Sequence, residues 1–343
     1  MGKLLCDSSA ASVETLAPAT PPSGSPLHWA PPPPPPSTTG YGWGEVAGLE
    51  DQQRRRLERI SDRGVAWKVP DSDPVSSSDL GNDREAIYQI FRLEHGGEVE
   101  SDGNCLFTAA RRSMGVKMSA RELRRCTVRR FQEEYEKEEN KEGIDLAIRN
   151  MYSPDLKAGW GVHVVQEVKL LARKEDRLGM DSAINELMEL GIQREIAAET
   201  IYKERCIAVN DGSGWAKYMS ISGSDEDEHD IITLQYTEEG LLSIDENRDG
   251  HAAAFGDDIA LECLATEFKR EVYVVQAHGS DAMVDEDNCV FFLPHCPRGP
   301  ICGAPIFLFM KGTGWCGAGA DHYEPLITSL IPNVSHDKAA IVL

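Results

Sequence analysis

"VESDGNCLFTAARRSMG" (residues 99–115) joins turn and cap chemistry, Ser101 to Cys105, directly to the apolar residues Leu106, Phe107, Ala109 and Ala110. The spacing predicts a loop that becomes a helix, with Cys105 in its first turn. A thiol placed there meets unpaired backbone N–H groups and the positive end of the helix dipole, both of which favour thiolate and lower the pKa. Those amides, with that of Gly103 or Asn104, could hold the oxyanion of a tetrahedral intermediate. Gly103 lets the backbone come close to a substrate carbonyl, and Asp102 or Asn104 supplies the cap. On these grounds alone, a cysteine in a buried helix serves packing more often than attack.

A nucleophilic cysteine needs a base. Of nine histidines, His322 is the best placed, because it opens the strand-like "HYEPLI" (322–327) after the glycine-rich "KGTGWCGAGAD" (311–321). An imidazole on a strand beside a thiol-bearing helix is the arrangement of papain-like chemistry. Glu324 lies two residues on and shares a strand face with His322, from which it could orient the ring. From spacing alone, His322 is equally a loop histidine and Glu324 a solvated charge.

The remaining chain divides by composition. Residues 1–80 read as a disordered Pro/Ser-rich tail, since "LAPATPPSGSPLHWAPPPPPPSTTG" cannot bury enough apolar surface to offset ordering entropy. Its Pro31–Pro36 run suits polyproline II, which serves as a plain spacer more often than as a partner for an SH3- or WW-type groove. Within the tail, "GLEDQQRRRLERISDRG" (48–64) has local helix character. "MGKLLCDSS" has the glycine that N-myristoylation needs, but Lys3 and Cys6 fit the signal poorly. Order is expected from Asn82, with "NDREAIYQIFRLEH" (82–95) as a helix. Ser119 and Glu122 form a capping-box signature for a long helix, and a charged helical region runs over 141–210. "IITLQY" (231–236), "EVYVV" (271–275), "CVFFL" (289–293), "IFLFM" (306–310) and "HYEPLI" read as strands, and "GDDIALECLATEF" (256–268) as a helix. Helices followed by clustered strands give an α+β class. Residues 331–343 are expected to form a C-terminal tail.

A net charge of −22 argues against nucleic acid and for a basic or neutral protein partner. No apolar run is long enough to span a bilayer, and no signal peptide is apparent. Nine cysteines without a CxxC pair fit a reduced compartment, so a cytoplasmic or nuclear location is expected.

"DGNCLF" (102–107) with a late "HY" followed by an acidic residue resembles the ovarian-tumour (OTU) family of cysteine deubiquitinases. Three further stretches resemble family landmarks in the same order: "LRRCTVRRFQEEY" (123–135), "GWAKYM" (214–219) and "AAFGDDIALECLATEFKREVYVV" (253–275). The resemblance covers roughly residues 84–328 and implies a papain-like OTU fold over 81–330. It implies Cys105 as nucleophile and His322 as general base, with Asp102 as the motif aspartate shaping the oxyanion loop of Gly103 and Asn104. Glu324 falls where Asp or Asn usually orients the histidine, and Phe255 where Trp is usual. "GWGVHVVQEVKLLA" (159–172) mimics a family helix without the strand that follows it.

The stretch 138–212 is longer than the family needs and is expected to be a helical insertion. Within it, "SAINELMELGIQREIAAETIY" (182–202) resembles the first two helices of a ubiquitin-associated (UBA) domain. Leu190-Gly191-Ile192 stands at the loop, and Leu187, Met188 and Ile192 would supply apolar contact; an amphipathic hairpin packed on the core is the other reading. Cys289, His295, Cys296 and Cys302 cluster in sequence, but their spacing matches no common zinc knuckle, so no metal and no cofactor is expected. A reversible Cys105–Cys316 disulfide is a conceivable switch. The expected function is thiol isopeptidase action on ubiquitin or polyubiquitin. A ubiquitin-binding scaffold without activity and a protease for a ubiquitin-like modifier are the alternatives.

Overall fold

Ser119 and Glu122 fold as a reciprocal cap. The Ser119 hydroxyl accepts the Glu122 N–H, and the Glu122 carboxylate accepts the Ser119 N–H at 2.7 Å. In this computed structural model, residues 40–70, 86–157, 165–279, 289–312, 322–332 and 334–343 are described. They begin with a short 3-10 helix (Trp43–Glu45), α1 (Asp51–Arg63), β1 (Val65–Lys68) and β2 (Tyr88–His95). Helices α2 (Cys105–Met114), α3 (Ala120–Tyr135) and α4 (Glu138–Tyr152) follow, then β3 (Gln166–Arg173), α5 (Arg177–Glu189) and α6 (Arg194–Arg205). Next come β4 (Ile207–Ala208), α7 (Gly212–Ser220), β5 (His229–Thr237), β6 (Gly240–Asp245) and α8 (Asp258–Phe268). The chain closes with β7 (Val272–Ala277), β8 (Val290–His295), β9 (Ile306–Lys311), β10 (His322–Leu330) and β11 (Ile341–Val342). The class is α+β.

Seven strands form one mixed sheet in the order β11-β1-β2-β10-β9-β7-β8, in which β1 runs parallel to β11 and β7 parallel to β9. Helices α2, α3, α7 and α8 pack around a core of Leu106, Phe107, Leu123, Phe131, Trp215 and Leu264. Asp257 ties this layer together. It caps α8 by accepting the Ala260 N–H at 2.8 Å and also accepts Trp215 Nε1–H at 2.7 Å and the Tyr152 hydroxyl. Burial raises its pKa, and those three donors pull only part of the way back. A separate four-stranded sheet, β4-β3-β5-β6, carries the α5–α6 hairpin on Leu170, Met180, Ile184, Ala197, Tyr202, Ile232 and Leu234.

Four expectations are corrected. "NDREAIYQIFRLEH" ends as the strand β2, not a helix; Ile90, Phe91, Leu93 and His95 are buried, and β1 and β10 flank it. A short apolar run buried on both faces looks the same at helical and strand spacing, and only its non-local partners separate the two. Residues 40–70 belong to the fold rather than to a tail. Trp43, Val46, Leu57, Ile60, Val65 and Trp67 enter a second core with Phe91, Phe307 and Phe309. Gly64, at φ +82°, closes α1 where a Cβ would meet Ile90 Cγ2 at 2.6 Å. The end of the chain is likewise not a tail throughout, since Val65 pairs with Ile341 and Ala66 with Val342. Lastly, 138–212 is not wholly helical: β3 pairs with β5 along its whole length, from Gln166↔Tyr236 to Arg173↔His229. Pro31–Pro36, Cys6, Asn82 and residues 159–164 of the 159–172 mimic lie outside the described residues, and 166–172 of that stretch belong to the strand β3.

Candidate active site

The loop ahead of α2 is built by three devices. Gly103 takes φ +77°, and a Cβ there would meet the Ala253 Cβ at 2.7 Å, so both conformation and space demand glycine. Asp102 accepts the Asn104 N–H at 2.9 Å, closing a local turn. Asn104 occupies the cap position without capping; its side-chain amide donates to the Ser222 carbonyl at 3.0 Å. Asp102 thus engages the amide of Asn104, one of the two loop donors expected from sequence beside that of Gly103.

Arg124 on α3, 1% exposed, holds this loop from below. Its guanidinium donates to the carbonyls of Gly103 (2.9 Å), Ala254 (2.8 Å) and Met219 (2.9 Å), and to Asn104 Oδ1. It also lies over the Phe107 ring at 4.4 Å. Burial lowers its pKa to about 10, with Tyr218, Asp227 and Asp102 pulling the other way. Sequence reading passed over Arg124. The signal was its place on the helical stripe Leu123, Thr127, Val128 and Phe131, a charge where burial was expected.

Cys105 is the first residue of α2 and 2% exposed. Its pKa is raised, contrary to the expectation: burial outweighs the backbone hydrogen bonds of Tyr323, Leu106 and Cys105 itself, and Asp102 adds to the rise. Those backbone donors set it apart from the buried Cys263, which burial pushes up to about 12, and from Cys206 at about 11.

His322 begins β10, opposite Lys311 of β9. Its Nε2 lies 2.9 Å from the Val99 carbonyl and so donates to it. Nδ1 is 3.5 Å from Ser101 Oγ, on the loop that leads to Cys105. Val99 and Ser101 therefore hold the ring, and the Tyr323 backbone lies against the Cys105 sulfur. Glu324 is not the hydrogen-bond partner of His322; the nearest approach is 3.9 Å. Its Oε2 instead meets His95 Nε2 at 2.7 Å, and its Oε1 lies 3.5 Å from Lys311 Nζ. Asp102, Gly103, Asn104, Cys105 and His322 thus converge on one loop, with Glu324 behind them. Cys316 and the loop 313–321 lie outside the described residues.

Among the described residues, no three His, Cys, Asp or Glu side chains are grouped to hold a metal. Cys289 is buried while Cys296 and Cys302 are exposed. No described helix is long and apolar enough to cross a membrane. The α5–α6 turn leaves Met188, Leu190, Ile192 and Ile196 exposed, Leu190 at 79%. No family model, curated protein or solved structure matches the chain.

Proposed function

We propose that the chain is a thiol isopeptidase of the ovarian-tumour kind that hydrolyses the bond at the ubiquitin C-terminus, with Cys105 as nucleophile and His322 as general base. The observation that carries the reading is the convergence of these two residues on one loop, with Nε2 of His322 held by the Val99 carbonyl and Nδ1 turned to the loop that leads to Cys105. In this reading Nδ1 takes the proton of the Cys105 thiol as the sulfur attacks the carbonyl. The Cys105 amide and the α2 dipole stabilise the oxyanion. The imidazolium then protonates the lysine amine as it leaves, and water, deprotonated by His322, resolves the thioester.

Charge supports the substrate: a chain of net charge −22 suits a basic C-terminal tail. The exposed turn of Met188, Leu190 and Ile192 is a second contact for a ubiquitin unit of a chain, in keeping with its UBA-like sequence. Hydrolysis of ubiquitin carrying a fluorogenic C-terminal amide tests the reading. Wild type should release the fluorophore, Cys105→Ala should not, and His322→Ala should fall by about a thousandfold. Turnover of a ubiquitin-like amide alone would redirect the substrate assignment.

A further inference from the structure

Glu324 poses a problem of its own. It is 1% exposed, too far from His322 for a hydrogen bond, and yet its pKa is lowered. Burial alone would raise it; the His95 hydrogen bond first, then electrostatic attraction from the side holding His95, Lys311 and His322, more than offset that. His95 lies at the end of β2, 3% exposed, with Leu326 of β10 as its cross-strand partner. Its Nδ1 accepts the Gly97 N–H at 3.2 Å, which places the ring proton on Nε2, aimed at Glu324 Oε2. Its backbone exchanges hydrogen bonds with Tyr41 at 2.7 and 3.1 Å, and the rings of Trp43 and Phe309 flank its own. One carboxylate oxygen is thereby committed to His95, and the other faces Lys311 and His322.

We propose that His95 is a positioning residue for the reaction: it holds Glu324 as a fixed negative charge behind His322, against which His322 gains its proton. This rests on the reading of Cys105 and His322 as nucleophile and base. Among the described residues, the charged and titratable groups around Glu324 are His95 from β2, Lys311 from β9 and His322 from β10, and the Trp43 ring packs against His95. The Val99 carbonyl orients the imidazole and Glu324 supplies its counter-charge, so the two tasks are divided between a backbone and a side chain. His95 acts only through Glu324.

The test uses the full chain and the rate at which iodoacetamide alkylates Cys105, followed by peptide mass, which needs no ubiquitin. His95→Leu should slow alkylation about tenfold, and His95→Gln, which keeps an N–H within reach of Glu324, should recover most of the rate. In a Glu324→Gln background, His95→Leu should slow it no further. That double variant carries no unpaired buried charge, so it remains usable if His95→Leu alone fails to fold. A wild-type rate in folded His95→Leu, or equal slowing in the Glu324→Gln background, would overturn the proposal. His322→Ala separates the two levels. Slowing there without slowing in His95→Leu rejects only the role of His95, and no slowing in His322→Ala rejects the base assignment and the role of His95 together.

Discussion

Arg124 and Gly103 decide whether the loop before Cys105 exists in working form. Arg124→Met keeps the length and most of the apolar stem but strands three carbonyls, so it should destabilise the protein by about 3 kcal/mol in urea unfolding. Gly103→Ala meets Ala253 and adopts an unfavourable φ, so it should abolish ubiquitin-amide hydrolysis while costing about 1–3 kcal/mol of stability. The four residues 102–105 were legible in the sequence because their chemistry is local: a turn former, a glycine, a short amide and a thiol ahead of an apolar run. Arg124 was not, because its acceptors come from three separate segments. His95 was hidden for the same reason, since it meets Glu324 across 229 residues. The direction of the Cys105 shift was missed too, because dipole and amides can be read from a helix start but burial cannot.

Elements with local punctuation were readable, and elements defined by distant partners were not. The Ser119–Glu122 cap, the α8 helix and the strands β5, β7, β9 and β10 follow from short-range patterns. Helix α1 is so rich in charge that Leu57 and Ile60 look incidental until the second core is seen to close over them. Trp43 sits in that same core, against His95 and Phe309. Trp43→Ala should cost about 3–5 kcal/mol by denaturant titration, a loss that a residue in a solvated tail would not produce. The α5–α6 hairpin buries one face on β3 and β5 and leaves its turn in water. The double substitution Leu190→Asp and Ile192→Asp should change stability by no more than about 0.5 kcal/mol. It should raise KM for polyubiquitin about tenfold and leave the Cys105 alkylation rate unchanged; an unchanged KM would assign that turn no part in binding.

The whole molecule carries an acid-sensitive charge balance. His229, His278 and His295 have lowered pKa values, chiefly through burial. The unfolded chain therefore binds more protons than the fold just below the ordinary value of 6.5, so their contribution is present above that pH and lost as pH falls. Glu167, Glu199, Glu246 and Glu324 are also lowered, as partners outweigh burial; their contribution is present above 4.5 and is lost on further acidification. Asp257, raised by burial, acts in the opposite direction. Guanidinium midpoints at about pH 7.5, 5.5 and 4 should fall at each step, and a flat profile would contradict these shifts. The central claim is that Cys105 attacks at the ubiquitin C-terminus. The most direct measurement is the intact mass of the purified chain after mixing with ubiquitin that bears a C-terminal thiol-reactive electrophile, beside Cys105→Ala. The expected result is the mass of a one-to-one adduct in wild type and its absence in Cys105→Ala. No adduct from a chain that is folded by circular dichroism, or an adduct that persists in Cys105→Ala, would contradict it.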